Sequence, residues 1–275
     1  MTASTTPNAH ACDLTLFVAC YNEEHGVIPS IETVVAAANE VGCTFDIVVV
    51  DDGSKDNSVK VVRQYMDEHP ELPITLVVNE VNQGVGVNFA AGAFFGRGKY
   101  YRMICGDDTE TKETLVEVFR RLGEADMILT YHIDSRARHW MRRVISRVFT
   151  FLVNRISGYR IHYYNGLAVH LRQNVMLWHS NAHGFGFQAD LITRLLDMGA
   201  TYTEVPVVPL ERAAGKTSAF TLRNFASVGH TMLELFIRRV AKLLYPNFTS
   251  RLKHGYTVYE TPTVQKPHAE PTRSP

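Results

Sequence analysis

Short apolar runs alternate with amphipathic segments along the first half of the chain. Runs rich in β-branched residues, each bounded by turn-forming residues, predict strands at residues 14–19, 45–50, 74–79, 100–105 and 126–131. The segments between them have apolar residues at helical spacing and predict helices at about 27–41, 58–68, 85–97 and 111–122. Near-continuous apolar strands separated by helices are typical of a parallel sheet that is covered on both faces. We therefore expect an α/β fold.

The pattern of the second half is less regular. It predicts strands near residues 166–170 and at 201–207, and helices at about 137–156, 187–198 and 220–244. We assign residues 13–218 to one main domain and residues 219–255 to a helical extension. Residues 1–12 and 256–275 are rich in Thr, Pro and Ser, so we expect disordered tails there.

Composition narrows the class of partner. The 275 residues are 45% hydrophobic, which suffices for one large core. Lys plus Arg and Asp plus Glu both total 28, so no overall charge favours nucleic acid. Residues 134–160 nevertheless carry seven arginines and one acidic residue, and residues 235–253 carry five basic residues and no acidic one. Two basic segments in a neutral chain indicate a localised anionic partner.

The cysteines and the apolar runs bear on the cellular compartment. The four cysteines show no CxxC spacing, so we expect reduced thiols and neither a disulfide framework nor a zinc site. The N-terminus lacks the charged and apolar regions of a signal peptide, and no apolar run approaches the roughly 20 residues of a membrane span. We expect a cytoplasmic protein and leave open a peripheral location at the cytoplasmic face of a membrane.

Paired carboxylates follow two of the predicted strands. Asp51 and Asp52 end one strand, and Asp107 and Asp108 follow another. Ligands of open parallel sheets bind outside the carboxyl ends of the strands, so we expect both pairs over one crevice. Turn formation, or helix capping by Asp108 or the next residue, explains single acids here. It does not explain the run Asp107, Asp108 and Glu110, which needs a counter-ion such as Mg²⁺ or Mn²⁺.

Two further motifs follow predicted strands. In the segment ACYNEE, Tyr21 can stack on a base while Asn22 or Glu23 contacts the ribose or the base edge. A helix-initiating turn with acidic residues near the helix dipole is an equal alternative. The later GxG lacks the third glycine of a dinucleotide fingerprint. We therefore expect Gly84 to let a helix N-terminus approach the sheet and the ligand closely.

The two basic segments each have two interpretations. In the helix at about 137–156, Trp140, Val144, Val148 and Leu152 recur at helical spacing. An ordinary packed helix with a solvated arginine face is the commoner case, and an arginine face that binds a phosphate monoester is the alternative. The helix at about 220–244 either packs on the domain or lies in a membrane interface beside anionic lipids.

The order of the motifs resembles family-2 glycosyltransferases of the GT-A fold. YNE, DDGS, NxGxG and GDD are followed by GFxFQ, EVPV and ERxxGK, and the match covers roughly residues 14–231. Within the family the chain is most similar to dolichol- and polyprenol-phosphate mannosyl- or glucosyltransferases. The resemblance implies a Rossmann-like, mostly parallel sheet with helices on both faces and a C-terminal amphipathic helix.

The resemblance also implies a reaction. It is the inverting, metal-dependent transfer of a sugar from a GDP- or UDP-sugar to a polyprenyl or dolichyl phosphate, with Mg²⁺ or Mn²⁺ as cofactor. A soluble glycan or a small molecule with a hydroxyl group is the alternative acceptor. A phosphate acceptor is ionised at pH 7 because its second pKa is about 6, so it needs no general base.

The resemblance assigns roles to individual residues. It implies base- or ribose-binding roles for Tyr21, Glu23 and Asp52, and it matches Arg212 and, displaced by two positions, Lys216 to the family's diphosphate-binding stretch. The motifs after the strands add Asn22, Asp51, Gly84 and Asp107 to the predicted donor-binding residues. Asp108 and Glu110 are the implied metal ligands, and Asp108 is also a catalytic residue. Arg136 and Arg143 stand where these enzymes carry phosphate-binding arginines, and Asp190 is the nearest candidate for a base. The chain departs from the pattern at Gly106, Val85 and Ser218, where the family usually has Asp, a basic residue and Lys.

Overall fold

A computed structural model describes residues 11–133, 140–178, 186–208 and 222–245. Within these ranges seven strands form one sheet: β1 (Cys12–Cys20), β2 (Phe45–Asp51), β3 (Ile74–Val78), β4 (Gly98–Cys105), β5 (Met127–His132), β6 (Val169–Leu171) and β7 (Tyr202–Val207). Their order is β3-β2-β1-β4-β6-β5-β7, and only β6 runs antiparallel to its neighbours. The predicted mostly parallel sheet is confirmed.

Helices cover both faces of the sheet. The described helices are α1 (Val27–Val41), α2 (Ser58–Glu68), α3 (Val85–Phe95), α4 (Lys112–Phe119), α5 (Trp140–Ser157), α6 (Arg172–Met176), α7 (Phe187–Asp197) and α8 (Leu222–Leu244). Side chains alternate along a strand, so Leu16 and Val18 of β1 join one buried cluster while Phe17 joins the other. The two clusters therefore lie on opposite faces of the sheet.

Local sequence accounts for most of these elements. The bounds of α1 and α2 are those predicted, and Gly42, whose φ of 75° suits glycine, caps the C-terminus of α1. α4 begins one residue after Thr111, whose hydroxyl accepts from the Thr114 N–H. Because Thr111 is the cap, the alternative in which Asp108 or Thr109 caps this helix is wrong.

Helix α5 exposes the apolar face that was predicted to be buried. Val144, Val148 and Leu152 of α5 are exposed, whereas Phe149 and Val153 fill its buried side. The interpretation of α5 as a helix that packs through this apolar stripe is therefore wrong. No helix in the described part of the chain is long and apolar enough to cross a membrane.

The strand order places a crevice between β1 and β4. β2 and β3 extend the sheet on one side of β1, and β4 begins the other side, so the order reverses at this point. In the registers, Cys20 lies opposite Asp51 and Ala19 lies opposite Cys105. The carboxyl ends of β1, β2 and β4 are therefore level, and the loops that follow them meet.

Candidate active site

Two loops meet above the ends of β1 and β4 at glycines. A Cβ built on Gly26 would lie 2.5 Å from the Gly106 carbonyl oxygen, and a Cβ built on Gly106 would lie 2.8 Å from the Ala19 carbonyl oxygen. The Gly106 N–H donates to that same Ala19 oxygen at 3.0 Å. This close backbone approach gives a physical reason for glycine at position 106 of this chain.

Asp108 projects from the β4–α4 loop in a sparsely populated backbone conformation. Its φ is 52°, a left-handed value that Asp and Asn tolerate better than most residues. Its N–H donates to the Ser30 hydroxyl at 2.9 Å, and its carboxylate accepts a 3.5 Å bond from the Thr33 hydroxyl. The side chain remains exposed, and the neighbouring Asp107 accepts from the Thr109 hydroxyl. α1 thus holds the loop, and the Asp108 carboxylate is exposed beside this helix.

Asp51 and Asp52 differ in the hydrogen bonds that their carboxylates accept. Asp52 Oδ1 accepts from the Gln83 N–H at 2.7 Å, and Oδ2 accepts from the Gly84 N–H at 3.0 Å. These bonds fix the N-terminus of α3, where Gly84 has a φ of 88°. Asp51 Oδ2 accepts from the Ser54 N–H at 3.0 Å, but its buried Oδ1 accepts no hydrogen bond from the described residues.

The YNE segment is fastened to the DDGS loop. The Asn22 N–H donates to the Ser54 hydroxyl, and the Asn22 side-chain oxygen accepts from the Lys55 N–H at 2.8 Å. The Glu23 N–H donates to the Ser58 hydroxyl at 2.9 Å. Tyr21 is half-exposed beside these contacts. The structure thus brings together the residues predicted after β1 and β2.

Glu110 forms an ion pair that the sequence did not predict. Arg102, from β4, is fully buried and donates to both Glu110 carboxylate oxygens, at 3.0 and 2.6 Å. Its guanidinium also lies 5.9 Å from the centre of the Phe119 ring. These contacts favour a structural role for Glu110, and its role as a metal ligand stays a prediction. The sequence signal was a lone arginine inside an apolar strand.

The carboxylates at the crevice fit a hard cation held partly by substrate. No cluster of three or more His, Cys, Asp or Glu side chains gathers within the described residues. Mg²⁺ is usually bound through one or two protein carboxylates, and it keeps its other positions for water and substrate phosphates. Asp108 and Asp107 offer such a set, and they do not form an all-protein cage.

Asp190 lies away from solvent in a network of donors. Its carboxylate is fully buried and accepts from the Trp178 indole at 3.0 Å, from Arg194 at 2.9 Å and from Arg238 at 2.6 Å. The network joins α7 to α8. These contacts favour a structural role over the predicted base, which stays a prediction.

The other predicted phosphate-binding residues divide into two groups. Arg143 lies on α5 and is partly buried. Arg136, Arg212 and Lys216 lie outside the described residues, as do Gly215 and Ser218 of the same stretch.

The cysteines beneath the crevice are protonated at neutral pH. All four cysteines of the chain are free thiols. Burial raises the pKa of Cys20 to about 12, and burial also raises the pKa of Cys105, with the nearby Asp107 adding to the effect. Because the thiolate is the nucleophilic form, these residues do not supply a nucleophile at pH 7.

Two curated proteins of related sequence have names that refer to dodecaprenyl phosphate and undecaprenyl phosphate. The dodecaprenyl-phosphate galacturonate synthase of Rhizobium johnstonii is 27% identical over 163 residues, which cover 58% of this chain and 48% of that protein. The undecaprenyl-phosphate 4-deoxy-4-formamido-L-arabinose transferase of Pseudomonas aeruginosa is 26% identical over 215 residues, 77% of this chain and 62% of that protein. The chain thus spans less than two thirds of the length of either relative.

Solved structures confirm the predicted GT-A fold, and a match to a family model shows the family of the chain. The glucosyl-3-phosphoglycerate synthase from Mycobacterium tuberculosis with UDP has a TM-score of 0.58 at 14% identity, covering 83% of this chain and 80% of that chain. The mannosyltransferase PcManGT from Pyrobaculum calidifontis with GDP-Man and Mn²⁺ has a TM-score of 0.54 at 15% identity, covering 85% and 74%. At these identities the likeness shows the fold alone. The sequence model of glycosyl transferase family 2 matches residues 15–176, more than half of the chain, and the chain therefore belongs to this family.

Proposed function

We propose that the chain transfers a sugar, with inversion, from a nucleotide diphospho-sugar to a polyprenyl phosphate in the presence of Mg²⁺ or Mn²⁺. The observation that carries the proposal is the convergence of two acidic loops at the β1–β4 switch point of the sheet. The names of the two curated relatives support a polyprenyl phosphate as acceptor. Since that acceptor is a lipid, the proposal locates the chain at the cytoplasmic face of a membrane.

The proposed nucleoside site lies at the ends of β1 and β2. The half-exposed ring of Tyr21 offers a surface on which a base can stack. Asp51 Oδ1 is a buried acceptor without a donor among the described residues, a situation that costs about 1–3 kcal/mol. The imino N–H of a uracil or guanine base would satisfy it. Asp52 supports this site indirectly, because it fixes the adjoining N-terminus of α3.

The proposed diphosphate site lies at the end of β4. Asp108, with Asp107 beside it, would hold the cation, and Arg212 and Lys216 are proposed to bind the diphosphate. A bound cation neutralises the charge that develops on the leaving nucleoside diphosphate. The protein contributes orientation, because the contacts of Asp108 with Ser30 and Thr33 fix the loop relative to α1.

The proposed acceptor, a phosphate, needs a cationic side chain to bind it and no general base to deprotonate it. A phosphate monoester with a second pKa of about 6 is already an anion at pH 7. The donors around Asp190 leave that carboxylate engaged in ion pairs, which suits a reaction that needs no protein base. Arg143, and Arg136 before it in the chain, are proposed to bind the acceptor phosphate through bidentate hydrogen bonds.

A donor panel tests the proposal. The purified chain is incubated with Mn²⁺, UDP- or GDP-sugars, and polyprenyl phosphate in detergent micelles, and released nucleoside diphosphate is measured. We expect release from one class of donor, stimulation by polyprenyl phosphate and loss of activity with EDTA. Stimulation by soluble glycans and not by polyprenyl phosphate would contradict the lipid acceptor. Release from no donor would contradict transfer itself.

A further inference from the structure

Two helices turn apolar residues to solvent in the same periodic pattern. On α5 the exposed apolar residues are Met141, Val144, Ile145, Val148, Phe151 and Leu152, and each is between 37% and 65% exposed. On α8 they are Leu233, Phe236, Ile237, Val240, Leu243 and Leu244, between 37% and 68% exposed. Both sets have the spacing i, i+3, i+4, i+7, i+10 and i+11, which forms one continuous stripe along a helix. We call these twelve residues the α5–α8 surface.

Ion pairs fix the orientation of α8. Arg238 pairs with Asp190 at 2.6 Å and with Asp197 at 3.4 Å, and Lys242 pairs with Asp197 at 2.7 Å. Arg238 and Lys242 thus point towards α7, while the residues of the apolar stripe are exposed. In a helix that packs on a soluble domain the apolar stripe faces the core, so α8 has the opposite polarity.

The two helices that carry the stripes pack against each other and against one buried cluster. Phe149 and Val153 of α5 and Leu235 of α8 all enter one buried cluster. Since both helices bury one face in that cluster, the exposed stripes lie on their other faces. The paired stripes make a patch of the kind that marks an interaction site.

The charges beside the patch indicate its partner. α5 contains no acidic residue, and its Arg147 and Arg155 are exposed. α8 contains a single acid, Glu234, which lies 3.3 Å from His230. A twofold dimer through this patch would bring together two copies of the same cationic surface, and α5 offers no acidic residue to pair with these arginines. Anionic lipid headgroups above acyl chains complement both the cations and the apolar stripes.

We propose that the α5–α8 surface docks the protein on an anionic lipid bilayer, with the two stripes at the boundary between headgroups and acyl chains. The docking surface itself is inferred from exposure and charge alone. Its purpose rests on the proposed function, because docking would bring the site to an acceptor that is confined to the membrane.

Vesicle binding of substituted protein tests the docking. The double variant Phe151→Gln, Phe236→Gln removes one large apolar side chain from each stripe. Both residues are exposed, so the substitutions should leave the melting temperature unchanged. Phe94→Gln is the matched control, because Phe94 is an equally exposed phenylalanine on α3. Proteins of residues 1–275 are floated with vesicles of phosphatidylcholine alone or with added phosphatidylglycerol, at about 0.1 M salt.

We expect wild-type and Phe94→Gln protein to float with the anionic vesicles, and more weakly with the neutral ones. Each lost phenylalanine should lower the partition coefficient about tenfold, so the double variant should lose about a hundredfold. Raising the salt to about 1 M should weaken binding of the wild type, since it screens Arg147 and Arg155.

Three outcomes would overturn the proposal. In the first, the wild type does not bind anionic vesicles, and in the second the double variant binds them as tightly as the wild type does. In the third, the wild type is a dimer without lipid and the double variant is a monomer that still binds vesicles like the wild type. Nucleoside diphosphate release in detergent micelles is measured on the same variants. Lost vesicle binding with intact release separates docking from catalysis, and vesicle binding without release from any donor would contradict only the proposed function.

Discussion

At the scale of single residues, two features characterise the crevice. They are unusual backbone conformations in the loops and a difference in hydrogen bonding between the adjacent Asp51 and Asp52. Asn22 and Asp108, which follow β1 and β4, are the two non-glycine residues with positive φ in the described part of the chain. Such conformations collect at functional sites, where surrounding contacts hold them. Asp52 accepts from two backbone N–H groups, whereas one buried oxygen of Asp51 accepts no hydrogen bond from the described residues.

Asp51→Asn tests the proposed base contact. The amide supplies one acceptor where the carboxylate supplies two, so it cannot serve both Ser54 and a base N–H. We expect nucleoside diphosphate affinity, measured by calorimetry, to fall about tenfold, in line with about 1–3 kcal/mol for an unsatisfied buried group. The melting temperature should not fall. Asp52→Asn is the contrasting variant, because loss of its bonds to Gln83 and Gly84 should lower the melting temperature. An Asp51→Asn protein with wild-type affinity would remove Asp51 from the donor site.

Arg143→Ala tests the proposed acceptor site. A charge-assisted hydrogen bond contributes about 1.5–3 kcal/mol, so the KM for polyprenyl phosphate should rise about ten- to a hundredfold. The KM for the donor should change little. Arg143→Lys should restore part of the loss, because lysine supplies charge without the planar fork. Arg63→Ala, an exposed arginine on α2, is the control. A rise in donor KM alone would place Arg143 at the donor phosphates.

At the scale of elements, periodicity predicted where helices lie but not which way they face. The stripe of Val144, Val148 and Leu152 was visible in the sequence, but α5 instead buries Phe149 and Val153 in a cluster that it shares with α8. The same holds for the pairing of Arg102 with Glu110, since a lone arginine in a strand does not reveal its counter-ion. A strand was predicted near residues 166–170, but the antiparallel direction of β6 depends on its tertiary contacts with β4 and β5.

Glu110→Gln tests whether this residue supports the loop through Arg102. Removal of one partner leaves Arg102 as a buried, uncompensated charge, so the free energy of unfolding should fall by about 3 kcal/mol. Denaturant titration measures this loss. The double variant Arg102→Met, Glu110→Met should recover much of it, because apolar residues of similar volume often replace a buried pair without cost. A Glu110→Gln protein of wild-type stability that binds Mn²⁺ more weakly would instead make Glu110 a metal ligand.

At the scale of the whole molecule, the sequence predicted the class of fold and the edge of the sheet that carries the site. Apolar strands that end in Asp51 and Cys105 are local signals, and parallel pairing brings their ends together. Which polar side chains are buried in the core could not be predicted from such local signals. His170 is one case, because its place in the core follows from the pairing of β6 with β4 and β5.

His170 predicts a pH dependence of stability. Burial lowers the pKa of His170 to about 3, whereas in the unfolded chain it is about 6.5. Between these values only the unfolded state binds the proton, so stability falls as the pH falls below about 6.5, by at most about 1.4 kcal/mol per pH unit. Denaturant titrations of wild type and His170→Leu at pH 7 and 5 measure this, and the other histidines cancel in the comparison. The variant should lose less stability. Equal losses would contradict a buried neutral imidazole.

The central claim is metal-dependent transfer at the β1–β4 switch point, and Asp108→Asn tests it most directly. Asparagine tolerates the left-handed backbone at this position, so the variant removes the charge and keeps the loop. The measurement is the rate at which labelled sugar passes from the nucleotide donor to polyprenyl phosphate with Mn²⁺ present. Asp67→Asn, an exposed acid on α2, is the control. A metal contributes several kcal/mol to such reactions, so we predict a loss of about a hundredfold or more with an unchanged melting temperature. Transfer at the wild-type rate in Asp108→Asn would contradict the account.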